Sequence, residues 1–294
     1  MKHKMLLITN PVSGKGTIKK DLYKIIKNFK KLKFKVDLRY TNINYNASQI
    51  VMDYDKDCDV IIVLGGDGTL NEVVTGLTKS NKKIKVGFIP NGTTNDFARS
   101  LKIKKNRIEL SKTILNKDIK NCDTGKINDK YFNYVAAFGV FTETSYATSR
   151  EQKRKFGRLA YIFNGVKELF KIRKHKAKIY ADDVIITDDF IYGGISNSKS
   201  IAGFDLYNKD EVDMSDGKFE AMFIRMPKNF FRKIKLAFDL LFKNRKNNDI
   251  ICLKVSKITI EVEEPVNWTM DGEYAGKYSV VKIENLPKNV AFLV

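Results

Sequence analysis

The pattern of hydrophobic and polar positions changes near the middle of the chain. In the first part, short apolar runs rich in β-branched residues alternate with stretches of helical periodicity. The runs predict strands at 4–9, 34–40, 60–64, 85–89 and 119–123, and the intervening stretches predict helices at 17–32, 47–54, 71–77 and 108–115. Because strands that alternate with helices form a parallel sheet, we predict a doubly wound α/β domain over residues 1–124.

The second part is dominated by short strand-like runs separated by turn residues. The predicted strands lie at 131–136, 178–180, 184–187, 190–196, 219–225 and 250–262. Asn128-Asp129-Lys130 and Asp182-Asp183 predict hairpin turns. Two helical insertions are predicted at 156–170 and 228–242. We therefore predict an antiparallel, β-rich C-terminal domain over 125–287, with the active site in the cleft between the domains.

A glycine-rich segment, Gly65-Gly66-Asp67-Gly68-Thr69, directly follows the apolar run at 60–64. Its glycines predict a loop with positive φ, and a short helix is predicted from Leu70 to Leu77. Unpaired loop amides and a helix N-terminus both stabilise negative charge, so this segment indicates a phosphate site. An aspartate inside an anion-binding loop suggests an accompanying cation, and a magnesium nucleotide accounts for both features.

Two further polar segments follow predicted strands, at 10–16 and at 90–96. Parallel sheets bind ligands beyond the carboxyl ends of their strands, so these segments are expected beside the glycine-rich one. Neither known phosphate motif is present. Thr9 stands where the first glycine of a Walker motif would be, and Asn71 stands where the third glycine of a dinucleotide fingerprint would be.

The segment after position 90 carries several candidate side chains. Thr93 is a candidate for hydrogen bonds to phosphate oxygens. Asp96 is a candidate either for orienting a substrate hydroxyl or for an ion pair with Arg99. An Asx turn that caps a helix would account equally for Asn95 or Asp96 alone.

Acidic turns supply further candidates. Asp123 is predicted to end a strand, where it could bind magnesium or occupy a simple turn. Glu273, in Met270-Asp271-Gly272-Glu273-Tyr274, is either a general base or a solvated residue of a hairpin. The segment 213–218 offers one carboxylate and nearby backbone carbonyls, which suits a hard cation as well as a surface turn.

The most distinctive feature of the composition is its excess of basic residues. It has 294 residues, with 54 Lys and Arg against 34 Asp and Glu, and a formal net charge of +20. The excess indicates either solvated basic faces or attraction to an anionic partner. One Trp and no zinc or RNA-recognition pattern disfavour nucleic acid. Three widely spaced cysteines and no long apolar run predict a cytoplasmic protein that touches membranes only at their surface.

A basic amphipathic segment runs from Asn229 to Lys243. It is predicted as a helix whose apolar face carries Phe230, Ile234, Ala237, Phe238 and Leu241. Such a helix packs on a core or lies on an anionic membrane. The same membrane alternative applies to the basic residues of 150–158.

Five motifs occur in a fixed order: Asn10-Pro11-x-Ser13-Gly14, Gly65 to Glu72, Gly92-Thr93-x-Asn95-Asp96-Phe97-Ala98-Arg99, Asp123-x-Gly125 and Asp271-Gly272-Glu273. Together they resemble the bacterial soluble diacylglycerol kinase and lipid kinase family, with more distant similarity to sphingosine and ceramide kinases. The resemblance covers essentially the whole chain. It implies an N-terminal domain like those of phosphofructokinases and NAD kinases, a β-sandwich-like second domain, and a last strand at 288–294 that returns to the first.

The resemblance also implies roles for individual residues. Asp67, Asp96 and Asp123 would form an acidic network around magnesium and the reacting groups, and Glu273 would accept the proton. A second, structural magnesium would be held by Asp216 and the carbonyls of Asp213 and Lys218. ATP would be contacted by Asn10, Pro11, Val12, Ser13, Gly14, Thr41, Gly66, Asp67, Gly68, Thr69, Leu70, Asn71, Glu72 and Thr93.

The predicted activity is transfer of the ATP γ-phosphoryl group to the free hydroxyl of diacylglycerol, giving phosphatidic acid. The enzyme would be cytoplasmic and would work peripherally, on a lipid at the anionic inner face of the cell membrane. The sequence does not decide between a monomer and a homodimer. The alternatives are a kinase of another hydroxylated lipid, such as phosphatidylglycerol or a sphingoid lipid, an NAD kinase, and a basic membrane-surface protein without turnover.

Overall fold

A computed structural model describes residues 3–13, 18–92, 95–104, 106–140, 173–198, 212–242, 244 and 246–294. The chain divides into two compact units. The first comprises Met1–Thr124, Lys130–Asn133 and Leu286–Val294, and the second comprises Gly125–Asp129 and Tyr134–Asn285. The predicted fold class is confirmed, because the first unit alternates strands with helices and the second is built from antiparallel strands.

The first unit contains a parallel sheet with the strand order β4-β3-β1-β2. These strands are β1 (His3–Thr9), β2 (Phe34–Tyr40), β3 (Val60–Gly65) and β4 (Lys85–Pro90). The last strand of the chain, β13 (Glu273–Leu293), ends beside β4, where Phe292 and Leu293 pair with it in parallel. The helices are α1 (Ile18–Lys31), α2 (Ala47–Asp53), α3 (Asp67–Lys79), α4 (Asp96–Ser100) and α5 (Arg107–Thr113), followed by a 3-10 helix at Ile114–Asn116.

Burial of whole strands explains why this part of the sequence shows continuous apolar runs. All six residues of β3 are buried, as expected for a parallel strand covered on both faces. On one face, Met5 and Leu7 of β1 cluster with Ile25 and Phe29 of α1. Helix α3 packs closely on α2 at Gly76. A Cβ added at Gly76 would lie 2.7 Å from the carbonyl oxygen of Ser48.

Two element boundaries in the first unit differ from the predictions by three residues or more. Helix α3 begins at Asp67 rather than at 70 or 71, so Asp67 lies in a first helical turn and Gly66 is the N-cap with φ −94°. The expected positive φ in this segment was therefore wrong at Gly66. Strand β5 (Ile119–Ile127) continues beyond Asp123, so this aspartate lies within a strand rather than at its end. The short strand β6 (Lys130–Phe132) follows.

The second unit is an antiparallel assembly in which two strands each pair with several others. Its remaining strands are β7 (Val135–Gly139), β8 (His175–Ala181), β9 (Val184–Ser196), β10 (Phe219–Arg225), β11 (Ile250–Val255) and β12 (Lys257–Met270). Strands β7 and β8 both pair with β9 and with β12, which closes a ring of four strands. Asn128 and Asp182 have positive φ between paired segments, which confirms both predicted turns.

Four predicted strands of the C-terminal part of the chain are merged or divided in the structure. The runs at 184–187 and 190–196 form one strand, β9, whereas 131–136 and 250–262 are each divided between two strands. In the second case Ser256 separates β11 from β12. The predicted helix at 156–170 and the basic residues of 150–158 lie outside the described residues.

Helix α6 (Phe230–Leu241) is present, but its buried face differs from the predicted one. Leu236 and Leu240 are buried, whereas Phe238 is exposed. Leu236 and Leu240 cluster with Ile224 of β10 and Ile250 of β11, so packing against these strands selects the buried face. Among the described residues, no helix is long and apolar enough to cross a membrane.

Candidate functional site

The carboxyl ends of four parallel strands bring separate polar segments together in the first unit. The amide of Thr41, just after β2, donates to the carbonyl of Thr9 at the end of β1 (3.0 Å). The amide of Asn91, just after β4, donates to the carbonyl of Gly65 at the end of β3 (2.7 Å). This arrangement places the predicted nucleotide segments at the edge where open parallel sheets bind ligands.

Asn91 connects the segment after β4 to the segment after β1. Its side-chain amide donates to the carbonyl oxygen of Ser13 (2.9 Å) and to the Ser13 hydroxyl (3.2 Å). The side-chain oxygen of Asn91, Oδ1, accepts from Arg107, and the Arg107 Nε donates to Asp21 (3.0 Å). Sequence reasoning gave neither Asn91 nor Arg107 a role. Asn91 could have been found from the sequence, because it is a polar residue directly after a strand at the ligand-binding edge. Nothing in the sequence around Arg107 indicates its contact.

The backbone approaches itself closely between Gly66 and Gly92. A Cβ added to Gly92 would lie 2.8 Å from the Gly66 Cα and 2.7 Å from the Asn95 Oδ1. The Asn95 side chain closes this turn by accepting from the Gly92 amide (2.8 Å) and donating to its carbonyl (2.9 Å). Glycine is therefore needed at 92 for close approach.

The carboxylate of Asp67 is held by the first turn of α4. Its oxygens accept from the amides of Asp96 (2.9 Å) and Phe97 (3.3 Å). Burial raises the pKa of the Asp67 carboxyl, and the charge of Asp96 adds to the rise, while the two amides and Arg99 oppose it. The side chain has a fixed orientation at the ligand edge.

Asp96 and Asp123, the other two acids of the predicted network, have different surroundings. Asp96 forms an ion pair with Arg99, as weighed from the sequence, and the side chains are 42% and 62% exposed. Asp123 is 2% exposed, and its Oδ1 accepts from the amide of Lys288 (2.7 Å). Asp96 is thus available to a ligand from solvent, whereas Asp123 is buried in the first unit.

Several predicted nucleotide contacts also have structural roles. The Asn71 side chain donates to the carbonyl of Tyr131 (3.0 Å), and the Glu72 carboxylate accepts from the amide of Ala47 at the start of α2 (2.9 Å). Thr69 and Leu70 are buried in α3. These contacts anchor α3 within the first unit.

The segment after β1 is partly exposed where it is described. Asn10 organises its turn, because its Oδ1 accepts from the Val12 amide (3.1 Å) and its carbonyl accepts from the Ser13 hydroxyl (2.9 Å). Pro11 lies between Asn10 and Val12, and Val12 is 84% exposed. Gly14 and Thr93 lie outside the described residues, so their predicted nucleotide contacts stay predictions.

Glu273 stands at the end of a tight hairpin turn in the second unit. Asp271 and Gly272 have φ of 49° and 86°, the pattern of a two-residue turn with positive φ at both positions, and they join β12 to β13. The Asp271 Oδ1 accepts from the amides of Tyr134 (3.0 Å) and Val135 (3.1 Å). The turn that presents Glu273 is thus fixed by its neighbour's side chain.

The segment 213–218 forms a turn in which oxygen atoms are concentrated. Asp213 accepts from the amide and hydroxyl of Ser215, and Asp216 accepts from the amide of Lys218 (3.0 Å). Carboxylate and carbonyl oxygens suit magnesium, so the donor types fit the predicted ion. However, the described residues contain no group of three His, Cys, Asp or Glu that could hold a metal. The Lys254 ammonium lies 3.4 Å from Asp216 Oδ2.

Glu220, beside this turn, is a charged residue that sequence reasoning missed. Its side chain is fully buried, and the Lys254 Nζ lies 3.7 Å from its Oε1. Burial raises the pKa of the Glu220 carboxyl to about 7, although Lys254 opposes the rise. The pattern of polar and apolar residues in β10 does not predict a buried Glu220, because every residue from Phe219 to Ile224 is buried and the two faces do not alternate.

The structure thus brings together Asn10 to Ser13, Thr41, Gly66, Asp67 and Asp96 in the first unit. Glu273 and the segment 213–218 belong to the second unit, which is described by itself. The prediction that the site lies between two domains stays a prediction, as does joint action of Glu273 with Asp67.

Comparisons with known proteins show what the chain is similar to. Residues 4–127 match the model of the diacylglycerol kinase catalytic domain. A diacylglycerol kinase of Bacillus subtilis (strain 168) is 31% identical over 273 residues, which is 92% of this chain and 89% of that protein. One of Staphylococcus carnosus (strain TM300) is 30% identical over 282 residues, covering 94% and 90% of the two chains. A crystal structure of a protein proposed to be a diacylglycerol kinase, from Bacillus anthracis (strain Sterne), superposes with a TM-score of 0.82 at 27% identity, covering 100% of this chain and 97% of that one.

Proposed function

The chain belongs to the diacylglycerol kinase family, a family of kinases with an alcohol acceptor, and from this premise we propose that it transfers the γ-phosphoryl group of ATP to the free hydroxyl of diacylglycerol. The product would be phosphatidic acid. One observation carries the proposal for this chain. The end of β3, just before Gly66 and Asp67, accepts from the Asn91 amide after β4, and the Asn91 side chain donates to Ser13 in the segment after β1, at one edge of the sheet.

The first unit supplies the features that a triphosphate requires. Helix α3 begins just after Gly66, so its N-terminal amides would stabilise phosphate charge, and the close approach of Gly92 to Gly66 fixes this turn. Asn91 and Ser13 hold the neighbouring segment in place. Magnesium, when bound near Asp67 and Asp96, would neutralise charge that develops on the transferred group. We assign phosphate positioning to this edge.

The second unit supplies the proposed base. Glu273 lies on a turn fixed by Asp271, and its carboxylate would take the proton of the attacking lipid hydroxyl. The segment 213–218 would hold a second magnesium with a structural role. The lipid would be reached at an anionic membrane surface, since the chain carries a net charge of +20.

A phosphate-transfer assay tests the proposal. Purified protein is given labelled ATP and Mg²⁺ with diacylglycerol, phosphatidylglycerol, a sphingoid lipid or NAD in parallel reactions. We expect label to appear in phosphatidic acid. Label in NAD or in another lipid, but not in phosphatidic acid, would show that the acceptor is wrong. ATP-independent binding to vesicles without transfer to any acceptor would support the alternative of a binding protein.

The variant Glu273→Gln tests the base, with Glu284→Gln as its matched control. Both residues lie on β13, but Glu284 forms a surface ion pair with Lys257 (3.1 Å). We expect Glu273→Gln to lower kcat on the order of 100-fold or more and Glu284→Gln to leave it unchanged. Equal rates in both variants would remove Glu273 from the mechanism.

A further inference from the structure

Helix α6 carries large apolar side chains on the face that does not pack on its own unit. Phe231 is 79% exposed, Phe238 is 46% exposed, and Phe242, which follows the helix, is 76% exposed. The opposite face is accounted for, because Leu236 and Leu240 are buried against β10 and β11. The helix is therefore apolar on two sides: one is buried against β10 and β11, and the phenylalanine side chains on the other are exposed.

These exposed side chains form a continuous stripe. Phe231, Lys235, Phe238 and Phe242 are spaced four, three and four residues apart, which places them along one side of a helix. The Phe238 and Phe242 rings stack, with centroids 6.4 Å apart and planes 2° apart. We call these four residues the α6 stripe.

The charge around the stripe has one sign. Between Lys228 and Lys246 the sequence contains seven basic residues and one acidic residue, Asp239. Asp239 is 9% exposed, and its carboxylate accepts from the side-chain amides of Asn244 (2.8 Å) and Asn247 (2.6 Å). Its charge is thus turned inward, while Lys228, Lys235 and Lys246 are exposed.

We propose that the α6 stripe is a docking surface that inserts into an anionic lipid bilayer. Phenylalanine rings on one side of a helix, with lysines among and beside them, match an interface in which apolar groups enter the acyl boundary and cations meet lipid phosphates. The proposal rests on the proposed function, because a lipid kinase must reach a substrate that is held in a membrane. It adds the surface by which this chain reaches it.

A second copy of the chain fits the stripe less well. A two-fold contact between stripes would bring the two Lys235 side chains together, and each chain carries a net charge of +20. An anionic bilayer instead complements both the lysines and the rings. The membrane is therefore the occupant that the charges favour.

Vesicle binding tests the surface without using catalysis. Full-length protein is mixed with phosphatidylglycerol–phosphatidylcholine vesicles that contain no diacylglycerol, without ATP, and the bound fraction is measured by co-sedimentation. We expect the triple variant Phe231→Ser, Phe238→Ser, Phe242→Ser to bind at least about tenfold more weakly. Its matched control is Ile185→Ser, which changes a 64% exposed apolar residue elsewhere in the second unit and should bind as the unchanged protein does.

A charge variant tests the lysine contribution. We expect Lys235→Gln to weaken binding about fivefold on the anionic vesicles and to leave the weak binding to pure phosphatidylcholine vesicles unchanged. Circular dichroism checks folding of every variant. If the triple variant unfolds, single Phe231→Ser and Phe242→Ser variants replace it, since each side chain is more than three-quarters exposed.

The outcomes separate this inference from the proposed function. Unchanged vesicle binding by the folded triple variant overturns the inference. So does a chain that binds no vesicles but forms a dimer that the same substitutions dissociate. On soluble short-chain diacylglycerol, the triple variant should keep the unaltered turnover while it loses activity on vesicles. If no diacylglycerol is phosphorylated by any form, the proposed function fails, and the vesicle result still decides the inference.

Discussion

The side chain of Asp67 is bound by the backbone of Asp96, through a hydrogen bond of 2.9 Å from the Asp96 amide to the Asp67 Oδ2. A second bond, from the Phe97 amide to Oδ1, holds the other oxygen at 3.3 Å. The two acids are therefore not independent members of one site. Asp67 is oriented by the helix that begins at Asp96, so a change at either residue affects the other.

Substitution of Asp67 should separate its structural and functional contributions. Asp67→Ala removes both acceptors and should lower the free energy of unfolding by about 1 kcal/mol, as loss of a helix cap does. Asp67→Asn keeps one acceptor and should be less destabilised. Both should lower kcat on the order of 100-fold, since both remove the charge. Urea unfolding and initial rates check this, and a fully active Asp67→Asn would contradict a role for the carboxylate charge.

Gly92→Ala should disturb the nucleotide segments through sterics alone. The new Cβ would lie 2.8 Å from the Gly66 Cα, so the two strand ends must separate. We expect the KM for ATP to rise, by roughly tenfold, because small displacements of positioning groups are costly. Gly66→Ala is the graded comparison, since its Cβ would meet Gly92 at 3.3 Å, and it should have the weaker effect on packing. A larger KM effect at Gly66 would indicate that direct ligand contact outweighs packing.

Asn91→Ala should act on the segment after β1 without removing a predicted ligand contact. The loss of its bonds to Ser13 frees that segment, so the KM for ATP should rise several-fold while kcat changes little. Asn28→Ala is a matched control, because the Asn28 amide donates to Ser111 (2.9 Å). It should lower stability by about 1 kcal/mol without changing KM. A KM unchanged by Asn91→Ala would show that the contact to Ser13 does not position nucleotide.

The sequence predicted the parallel strands well because their apolar runs reflect burial on both faces. Strand β3, for example, begins at the predicted residue 60, and all six of its residues are buried. The start of α3 could not be predicted from propensity, since Gly-Asp-Gly-Thr favours a loop. Gly66 caps the helix and Asp67 occupies its first turn, so tertiary contacts to α4 override the local preference.

Long-range contacts account for the other failures. The pairing of Arg107 with Asp21 joins residues 86 positions apart, and neither has a distinctive neighbourhood in the sequence. In α6 the periodicity contains two apolar stripes, and only packing on β10 and β11 decides that Leu236 and Leu240 are the buried ones. Sequence periodicity identified the helix but not the face that stays exposed.

Asp271 should position Glu273 rather than react. Its carboxylate accepts from the amides of Tyr134 and Val135, which fixes the turn that ends at Glu273. We expect Asp271→Ala to lower kcat roughly tenfold, and Asp271→Asn to restore most of the rate, because asparagine keeps an acceptor and tolerates the positive φ of 49°. If Asp271→Asn is as slow as Asp271→Ala, the charge of Asp271 matters in its own right and the positioning role is wrong.

Trp268 should report the folding of the second unit by itself. It is the sequence's one Trp, it is 1% exposed, and its ring centroid lies 5.0 Å from that of Phe138. Among the described residues, its indole nitrogen has no hydrogen-bond partner. We therefore expect blue-shifted emission that iodide barely quenches, and a red shift when the second unit unfolds. In urea, the helix signal of the first unit, followed by circular dichroism, is expected to change at a different midpoint if the units unfold separately.

The variant Trp268→Phe tests the surroundings of the indole nitrogen. Because it removes an unpaired buried donor as well as ring volume, it should lower the free energy of unfolding by less than about 1.5 kcal/mol, and a larger loss would show that the indole nitrogen is hydrogen-bonded in solution.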